Sequence, residues 1–338
     1  MLTTAELMAE MTEPSDRLVA DMANISGDIA VTGVGGKVGP TVAILAAKAL
    51  QKAGSSARVH GIARFSDGQL ARQLQEHGVN PVVADLTDDA ALATLPEVEN
   101  HIYMVGHKFG TTGNEHHTWM MNSYLPGRLA QRYRDARTVM YSTLLVYPMA
   151  PVAAGGSREQ DPVGPWGEYA ASCVGRERVF EHFARANGTP LTVFRLGYSI
   201  ETRYGVLAEI AAAVHDQQPI DLSMGHASVI WQGDVAEYTL RSLIVADTPP
   251  AYLNITGPEI VPIRWLAERF GERFGIDPTF VGQEQPTAYV LDGSRAHQLF
   301  GYPRIPLLDM IDRVAGWTSA GGESIGKPTK FQERGGRF

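Results

Sequence analysis

The chain has 338 residues, a formal net charge of −8 and a single cysteine. One cysteine excludes an intramolecular disulfide framework and a cysteine-built zinc site, so a reducing, cytoplasmic location is expected. The apolar run at 41–50 is far shorter than the ~20 residues that cross a bilayer. Residues 1–13 contain no basic region typical of a signal peptide. No run of lysine and arginine occurs, so neither nucleic acid nor a membrane is an expected partner.

Residues 1–26 are predicted to form an N-terminal helical arm made of two short helices. Thr3 and Glu6 have the spacing of a capping box, which closes a helix N-terminus with two reciprocal hydrogen bonds. Leu18 and Met22 share one face of the second helix. An apolar face of this kind favours an arm packed on the body of the protein or on a partner subunit over a disordered tail.

From Asp28 onward, strands and helices alternate along the chain. The pattern predicts strands at 29–32, 58–63, 81–84, 101–105, 138–142 and 191–195, and helices at 40–53, 67–77, 119–134 and 167–187. Such alternation specifies an α/β fold with a Rossmann-type, doubly wound parallel sheet. We assign residues 27–198 to this domain.

The alternation loosens after residue 198. Further helices are predicted at 205–217, 234–244 and 263–274, with short extended segments near Val229 and Tyr252. Residues 199–320 are therefore assigned mainly to a smaller C-terminal α+β lobe, which would bind the substrate. The glycine and charge content of residues 321–338 predicts a flexible tail.

A glycine-rich loop joins the first predicted strand to the first predicted helix. Its sequence from Thr32 to Pro40 is TGVGGKVGP. Glycine allows a tight turn and the close approach of a pyrophosphate, and the helix N-terminus supplies N–H groups and a partial positive charge. We predict that the loop binds a dinucleotide through Gly33, Gly36, Lys37, Val38 and Gly39.

The residues after the second strand discriminate between NAD(H) and NADP(H). NAD-binding sites usually have an acidic residue there, which accepts a hydrogen bond from the ribose 2′-hydroxyl. No acidic residue occurs between Asp28 and Asp67, and the strand is followed by Arg64 and Ser66. Arginine and serine suit a 2′-phosphate. NADP(H) is therefore the predicted cofactor and NAD(H) the alternative, with a solvated surface arginine as the alternative interpretation of Arg64.

Several separated motifs match one known superfamily. Ser142 and Thr143 lie in the sequence YSTLLVYP at the end of the fifth strand, and Tyr169 lies on the next long helix. Further matches are the sequence ADL at 84–86, WQGDVA at 231–236, NITG at 254–257 and LD to LFGY at 291–302. With the glycine loop, these motifs resemble the extended short-chain dehydrogenase/reductase superfamily over about residues 28–318. That branch contains NAD(P)-dependent nucleotide-sugar epimerases, dehydratases and reductases.

The resemblance implies a role for each matched residue. Tyr169 would be the general acid/base, and Thr143, together with Ser142, would bind the substrate oxygen. Asp85 and Leu86 would contact the adenine. Residues that end the fourth strand face the cleft in this fold, so the cofactor ribose is expected near Val105, Gly106, His107 and Lys108.

The catalytic lysine of the superfamily, four residues after the tyrosine, is absent from this sequence. Cys173 occupies its position, although Glu177, four residues further on, matches the family. Three hypotheses remain: Lys108 supplies the missing positive charge, Cys173 acts as a thiolate, or the dehydrogenase chemistry is weakened or lost. A thiolate would raise the tyrosine pKa rather than lower it. The simplest account of Cys173 itself is a small apolar residue that packs under the cofactor.

The expected function is hydride transfer between NADP(H) and a carbinol carbon of a sugar or sugar nucleotide. The alternative is an NADP(H)-binding sensor or scaffold with weak or lost chemistry. Arg195 and Arg203 are candidates for binding a diphosphate, or else form structural ion pairs. No metal site is predicted, because the histidines between 101 and 117 match no ligand spacing. Family members often form homodimers through helices next to the fifth strand, and the helix that contains residues 119–121 is apolar enough to allow the same here.

Overall fold

The structure of the protein is a computed structural model that describes residues 3–66 and 68–338. Its helices, in chain order, are α1 (Thr4–Met11), α2 (Asp16–Met22), α3 (Gly39–Lys52), α4 (Gly68–Glu76), α5 (Asp89–Ala93), α6 (Glu115–Trp119), α7 (Leu125–Arg132), α8 (Glu168–Asn187), α9 (Val206–His215), α10 (Gln232–Arg241), α11 (Ile263–Phe274), α12 (Ser294–Phe300) and α13 (Leu307–Ser319). A π-helical turn, Met120–Tyr124, joins α6 to α7. Over the residues that the structure describes, no helix combines the length and the apolar character needed to span a membrane.

The strands, in chain order, are β1 (Ile29–Thr32), β2 (Val59–Ala63), β3 (Val79–Val83), β4 (Asn100–Tyr103), β5 (Arg137–Thr143), β6 (Ala150–Pro151), β7 (Leu191–Leu196), β8 (Tyr198–Ile200), β9 (Ile220–Asp221), β10 (His226–Ala227), β11 (Val229–Trp231), β12 (Ala251–Ile255), β13 (Val261–Pro262), β14 (Phe280–Val281) and β15 (Thr287–Ala288). Within the described ranges, seven parallel strands form the central sheet, in the order β12-β7-β5-β4-β1-β2-β3.

The central sheet is doubly wound about β1. The chain moves outward through β2 and β3 on one side of β1 and returns to β4 on the other. Apolar clusters cover both faces of the sheet, and the side chains of β1 are fully buried. This is the Rossmann-type parallel sheet that the alternating sequence pattern predicts, and that prediction is confirmed. A crevice for ligands forms where the strand order reverses, at the carboxyl ends of β1 and β4.

Two elements differ from the predicted pattern. The extended segment near Tyr252, expected in the C-terminal lobe, is strand β12 at the edge of the central sheet, paired with β7. Hydrophobic periodicity predicts a strand but does not identify its partner. The helix predicted at 119–134 is divided by the π-helical turn, which adds one residue to a turn and so rotates the helix face. Asn122 is fully buried in that turn.

The N-terminal arm packs against α3 and α10. Thr3 and Glu6 form the capping box that their spacing predicts. Leu18 and Met22 are buried in the same apolar cluster as the side chains of β1 and α3. The hydroxyl of Ser15 donates to the Glu237 carboxylate of α10 at 2.7 Å. The arm therefore completes the core on this face of the sheet.

The smaller lobe is built mainly from α9, α11 and α13. Strand β8 follows β7 directly and pairs in parallel with β11, so the lobe begins where the central sheet ends. Phe331 and Phe338 belong to its apolar cluster and are 1% and 4% exposed. The sequence predicts a flexible tail at 321–338, whereas these aromatic side chains anchor the second half of that segment in the structure. Glycine and charge content alone does not reveal such an anchor.

We expect Leu18→Ala to lower the free energy of unfolding by about 2–5 kcal/mol, because it empties a fully buried position between the arm and α3. Ala20→Ser, on the exposed side of α2, is the control and should change that free energy by less than about 0.5 kcal/mol. Urea denaturation followed by circular dichroism measures both. Equal midpoints for Leu18→Ala and the parent chain would show that the arm adds nothing to stability.

Candidate active site

The glycine loop lies between β1 and α3, at the crevice where the strand order reverses. Gly33 has a φ of +83°, and a Cβ there would come within 2.9 Å of the backbone nitrogen of Val105. A Cβ on Gly39 would lie 2.5 Å from the carbonyl oxygen of Val34. Both positions therefore require glycine, one for the left-handed turn and the other for the close contact between α3 and the loop.

The start of α3 offers hydrogen-bond donors to the crevice. The N-cap residue of α3, Val38, forms no side-chain capping hydrogen bond, and the first turn contains no acidic residue. Its first N–H groups are therefore available to a ligand. Pro40 lies in this turn, where a missing N–H has little cost, and Gly35 and Gly36 are exposed. These features fit the pyrophosphate of a dinucleotide, which needs backbone donors and positive charge.

The residues predicted to bind a 2′-phosphate lie after the carboxyl end of β2. Arg64 and Ser66 are both exposed. Hydrogen bonds from Thr87 lower the pKa of Asp85, and the positive charge of Arg64 contributes to the same shift. Arg64 and Asp85 therefore lie at the same edge of the sheet, and Leu86 is buried beside them at 7% exposure. Asp67, the first residue of the predicted helix at 67–77, lies outside the described residues.

The loop after β4 forms the wall of the crevice opposite the glycine loop. Asn122 holds this loop, because its Oδ1 accepts from the backbone N–H of His107 at 2.8 Å and its Nδ2 donates to the His107 carbonyl oxygen at 2.9 Å. Val105 and Gly106 precede this anchored residue, and Val105 contacts Gly33. Nε2 of His107 is buried and has no hydrogen-bond partner among the described residues. Such a ring nitrogen is expected to bind a ligand or water.

The structure brings three of the predicted catalytic residues together. Tyr169 lies in the first turn of α8, and Thr143 is the last residue of β5. The Tyr169 phenol lies close enough to the Thr143 hydroxyl and the Cys173 thiol for both to influence its pKa. Cys173 is fully buried, as expected for a small residue that packs beneath the site.

Burial sets the protonation of this group. It raises the pKa of the Tyr169 phenol, and the neighbouring Cys173 adds to the rise. Burial also raises the pKa of the Cys173 thiol. Both groups are therefore protonated at neutral pH, which argues against the thiolate hypothesis. A neutral phenol beside a second hydroxyl is suited to donating a proton.

Ser142 is not part of the group around Tyr169. Its hydroxyl donates to the Glu177 carboxylate at 2.5 Å, and Arg195 donates twice to the same carboxylate, at 2.9 and 2.7 Å. Arg195 also donates to the Tyr147 hydroxyl at 2.5 Å, and that hydroxyl donates to Asn254 at 3.0 Å. Ser142 thus belongs to a buried polar network. Arg195 forms a structural ion pair, the second of the two alternatives that the sequence left open.

Comparison with known proteins agrees with this geometry. The family model described as the NAD dependent epimerase/dehydratase family matches residues 29–233, more than half of the chain. The chain belongs to this family. It is therefore an NAD(P)-dependent epimerase-like enzyme, and the resemblance that its motifs indicate is confirmed. No curated protein matches the chain in sequence.

Solved structures with the same fold include two nucleotide-sugar epimerases. One is UDP-glucuronic acid 4-epimerase from Bacillus cereus in complex with UDP-glucuronic acid and NAD, at a TM-score of 0.71 and 16% identity. The other is UDP-glucose 4-epimerase from Thermus thermophilus in complex with NAD, at a TM-score of 0.69 and 18% identity. The matches cover 87% and 86% of this chain and 99% and 98% of those chains. About an eighth of the present chain therefore lies outside the region matched to these structures.

This epimerase/dehydratase family member has a buried cation one helical turn beyond Cys173. Arg176 is 5% exposed and donates to the Tyr141 carbonyl oxygen at 2.9 Å and to Oδ1 of Asn122 at 2.9 Å. Burial is the main reason why the pKa values of Tyr169 and Cys173 are raised. The positive charge of Arg176 opposes this shift, because it favours the ionised forms of both groups. Arg176 therefore supplies positive charge close to the position where the lysine is absent.

Lys108, the predicted substitute for the lysine, lies on the loop after β4. Its ammonium group donates to the Thr329 carbonyl oxygen at 3.0 Å and lies 5.0 Å from the ring centre of Phe338. Burial lowers the pKa of Lys108 to about 8, although Cys173 and Glu209 act in the opposite direction. The hydrogen bond that positions Lys108 is therefore made with the segment that the sequence predicts to be flexible.

Lys37 of the glycine loop is directed toward the smaller lobe. Its ammonium group lies 3.5 Å from the ring centre of Tyr204. Burial, followed by the charges of Lys108 and Lys327, lowers the pKa of Lys37 to about 8. The loop lysine therefore faces residues of the lobe and of the last segment of the chain.

Sequence reasoning did not identify Asn122 or Arg176 as parts of the site. Asn122 lies in a stretch read as one regular helix, and only the π-helical turn directs it inward. Arg176 follows Tyr169 by seven residues, a spacing that puts both on one helix face, and this was the one available signal.

Lys108→Met should change how stability depends on pH. The folded-state pKa of about 8 lies below the ordinary value of 10.5. Between pH 8 and pH 10.5, the unfolded chain therefore binds more protons than the folded chain. The stability of the parent chain rises with pH across that range. The shift corresponds to at most about 3 kcal/mol. We expect a smaller rise in the variant, because Lys37, whose pKa is also lowered to about 8, still contributes, and urea denaturation across the range measures it. Lys52→Met, at a half-exposed lysine, is the control, and identical profiles for Lys108→Met and the parent would contradict the lowered pKa.

Proposed function

We propose that the chain is an NADP(H)-dependent oxidoreductase or epimerase-type enzyme that acts on a carbinol or keto group of a sugar or sugar nucleotide. The contact of Tyr169 with Thr143, beside a loop suited to a pyrophosphate, carries this proposal. A protein that only bound the cofactor would need neither a proton donor nor an oxygen-binding hydroxyl in the cleft. The Bacillus cereus epimerase, bound to UDP-glucuronic acid and NAD, supports the substrate class.

The proposed cofactor contacts follow the carboxyl edge of the sheet. The backbone of the glycine loop and the start of α3 would hold the pyrophosphate, and the loop after β4 would hold the ribose next to the nicotinamide. The residues assigned to the cofactor are Gly33, Gly36, Lys37, Val38, Gly39, Arg64, Ser66, Asp85, Leu86, Val105, Gly106, His107, Lys108 and Tyr169. Arg64 and Ser66 are the pair assigned to the 2′-phosphate, and their exposure at the edge of the sheet supports NADP(H).

When bound, the nicotinamide ring accepts or supplies the hydride. The Thr143 hydroxyl holds the substrate oxygen, and Tyr169 exchanges a proton with that oxygen. Because burial keeps the phenol of Tyr169 protonated, proton donation to a keto group is its favoured direction at neutral pH. The reverse direction needs an ionised phenol, which the positive charge of Arg176 favours.

A homodimer is part of the proposal. Trp119 and Tyr124 lie on consecutive helical turns next to α8 and are 40% and 64% exposed. Exposed aromatic side chains grouped in this way favour a protein–protein interface. We assign the dimer contact to this face of α6 and the π-helical turn.

Tyr169→Phe removes the proton donor and keeps the aromatic ring. We expect turnover to fall by at least about 100-fold, whereas NADPH binding should weaken by less than about tenfold, because Tyr169 is one of many proposed cofactor contacts and the glycine loop is untouched. Tyr302→Phe, at a tyrosine that is 73% exposed, is the control. NADPH fluorescence measures binding. NADPH absorbance measures net reduction or oxidation of sugars and sugar nucleotides, and chromatography of the products measures epimerisation, which leaves the cofactor unchanged overall. Unchanged turnover in Tyr169→Phe would refute its role, and NADPH binding without any turnover in the parent would favour a sensor or scaffold.

Arg64→Ala removes the charge assigned to the 2′-phosphate. We expect NADPH binding to weaken by about 10- to 100-fold, the usual range for a lost hydrogen bond to a charged group, and NADH binding to stay the same. Arg185→Ala, in the last turn of α8, removes the same charge elsewhere and should change neither affinity. Fluorescence titration of both nucleotides measures the effect. Tighter binding of NADH than of NADPH by the parent chain would rule out the assignment.

A further inference from the structure

The last residues of the chain lie across the crevice beside the catalytic group. We define residues 325–338 as the closing segment. Its first residue, Ile325, donates its N–H to the Arg203 carbonyl oxygen at 3.2 Å. The ring centre of Phe338 lies 5.6 Å from that of Tyr169, and Thr329 accepts the hydrogen bond from Lys108. The segment therefore occupies space next to the residues that a substrate must reach.

Polar contacts with the smaller lobe hold the middle of the closing segment. Thr329 donates through its N–H and its hydroxyl to the Glu209 carboxylate of α9. The Arg334 guanidinium donates to the carbonyl oxygens of Ser223 and Thr287, at 3.2 and 2.8 Å, and to the Thr287 hydroxyl at 2.7 Å. These bonds fix the segment to two separate parts of the lobe.

Contacts with the central domain hold the end of the segment. The N–H and hydroxyl of Thr111 both donate to the Phe338 carbonyl oxygen, at 3.1 and 2.8 Å. Gly336 meets the start of α8 so closely that a Cβ on Gly167 would lie 2.3 Å from the Gly336 carbonyl oxygen. With Phe331 and Phe338 buried as well, the segment has the dense contacts of a stable element rather than those of a locally unfolding one.

The arginines that the sequence offers for a diphosphate are already neutralised. Arg195 is paired with Glu177, and Arg203 is paired with Glu201 at 2.9 Å, with side-chain exposures of 14% and 0%. Arg334, which the closing segment itself brings to the lobe, is engaged with Thr287 and Ser223. Lys37 and Lys108 are assigned to the cofactor, so a diphosphate in the lobe would have to displace a carboxylate from Arg195 or Arg203 or break the hydrogen bonds of Arg334, which is unfavourable.

We propose that the closing segment is a fixed wall of the substrate site that excludes the nucleotide part of a sugar nucleotide. The substrate is then a compact polyhydroxy compound, such as a free sugar or a sugar acid. This inference rests on the proposed function and narrows its substrate class. In the reductive direction, the carbonyl carbon gains the hydride of NADPH and the carbonyl oxygen gains the Tyr169 proton, which solvent replaces.

The first experiment uses the full chain saturated with NADP⁺ and takes UDP-glucose and UDP as probes. Calorimetric titration should show no binding at about 1 mM of either probe. Hydrogen exchange should show that the amides of Thr329 and Thr111 stay protected with and without UDP-glucose. Binding with a Kd below about 0.1 mM, or faster exchange of the closing segment with UDP-glucose, would overturn the proposal.

The second experiment compares each sugar nucleotide with its free sugar as a substrate and then weakens the wall. We expect turnover with the free sugar, and Arg334→Ala should raise its KM at least about tenfold with kcat nearly unchanged, since a wall contributes to binding. Arg337→Ala, at an exposed arginine of the same segment, is the control. Equal KM values for the two variants would overturn the proposal.

Absence of turnover with every compound, despite NADPH binding, would contradict the proposed function, whereas the titration still decides whether the wall excludes UDP-glucose.

Discussion

The buried ion pair between Glu177 and Arg195 fixes α8, the helix that carries Tyr169 and Cys173. Glu177 lies on α8 two turns after Tyr169, Arg195 lies on β7, and their side chains are only 1% and 5% exposed. Removing one partner of such a pair typically costs about 3–5 kcal/mol, so α8 has one favourable register against the sheet. Ser142 adds a bond from β5 to the same carboxylate. Because this register places Tyr169 beside Thr143, the position of Tyr169 depends on a network buried beneath it.

A second buried contact joins α8 to the cofactor side of the crevice. Oδ1 of Asn122 accepts both from the backbone N–H of His107 and from the Arg176 guanidinium. A Cβ on Gly106 would lie 3.0 Å from the same guanidinium, so the loop after β4 rests directly on Arg176. The positive charge near Cys173 is therefore part of the support for the loop after β4, to which we assign the ribose. The presence of Cys173 in place of the lysine leaves this support intact, because Arg176 and Asn122 hold one another in place through their hydrogen bond.

The sequence predicts most of the sheet and the nucleotide loop, because both depend on local patterns. Buried parallel strands such as Ile29–Thr32 are continuous apolar runs, and the helix Ile263–Phe274 has the bounds that its periodicity indicates. The remainder depends on contacts between residues far apart in the chain. The partner of Ser142, the position of β12 in the sheet and the anchoring of Phe338 beside Tyr169 all require the folded chain. No local pattern encodes such pairings, and a glycine-rich, charged segment reads as flexible even when two of its aromatic residues are buried.

The replacement of the lysine by Cys173 and the position of the closing segment both affect the protonation of the Tyr169 phenol, and they act in the same direction. Cys173 brings an uncharged, buried group to the Tyr169 hydroxyl, and Phe338 packs an aromatic ring against the Tyr169 ring. Both changes reduce the solvation of an ionised phenol and so favour the protonated form. A protonated phenol donates a proton to a carbonyl oxygen but does not accept one from a hydroxyl group. The site is therefore better suited to reduction of a keto group than to oxidation of an alcohol at neutral pH, and Arg176 limits the size of this preference.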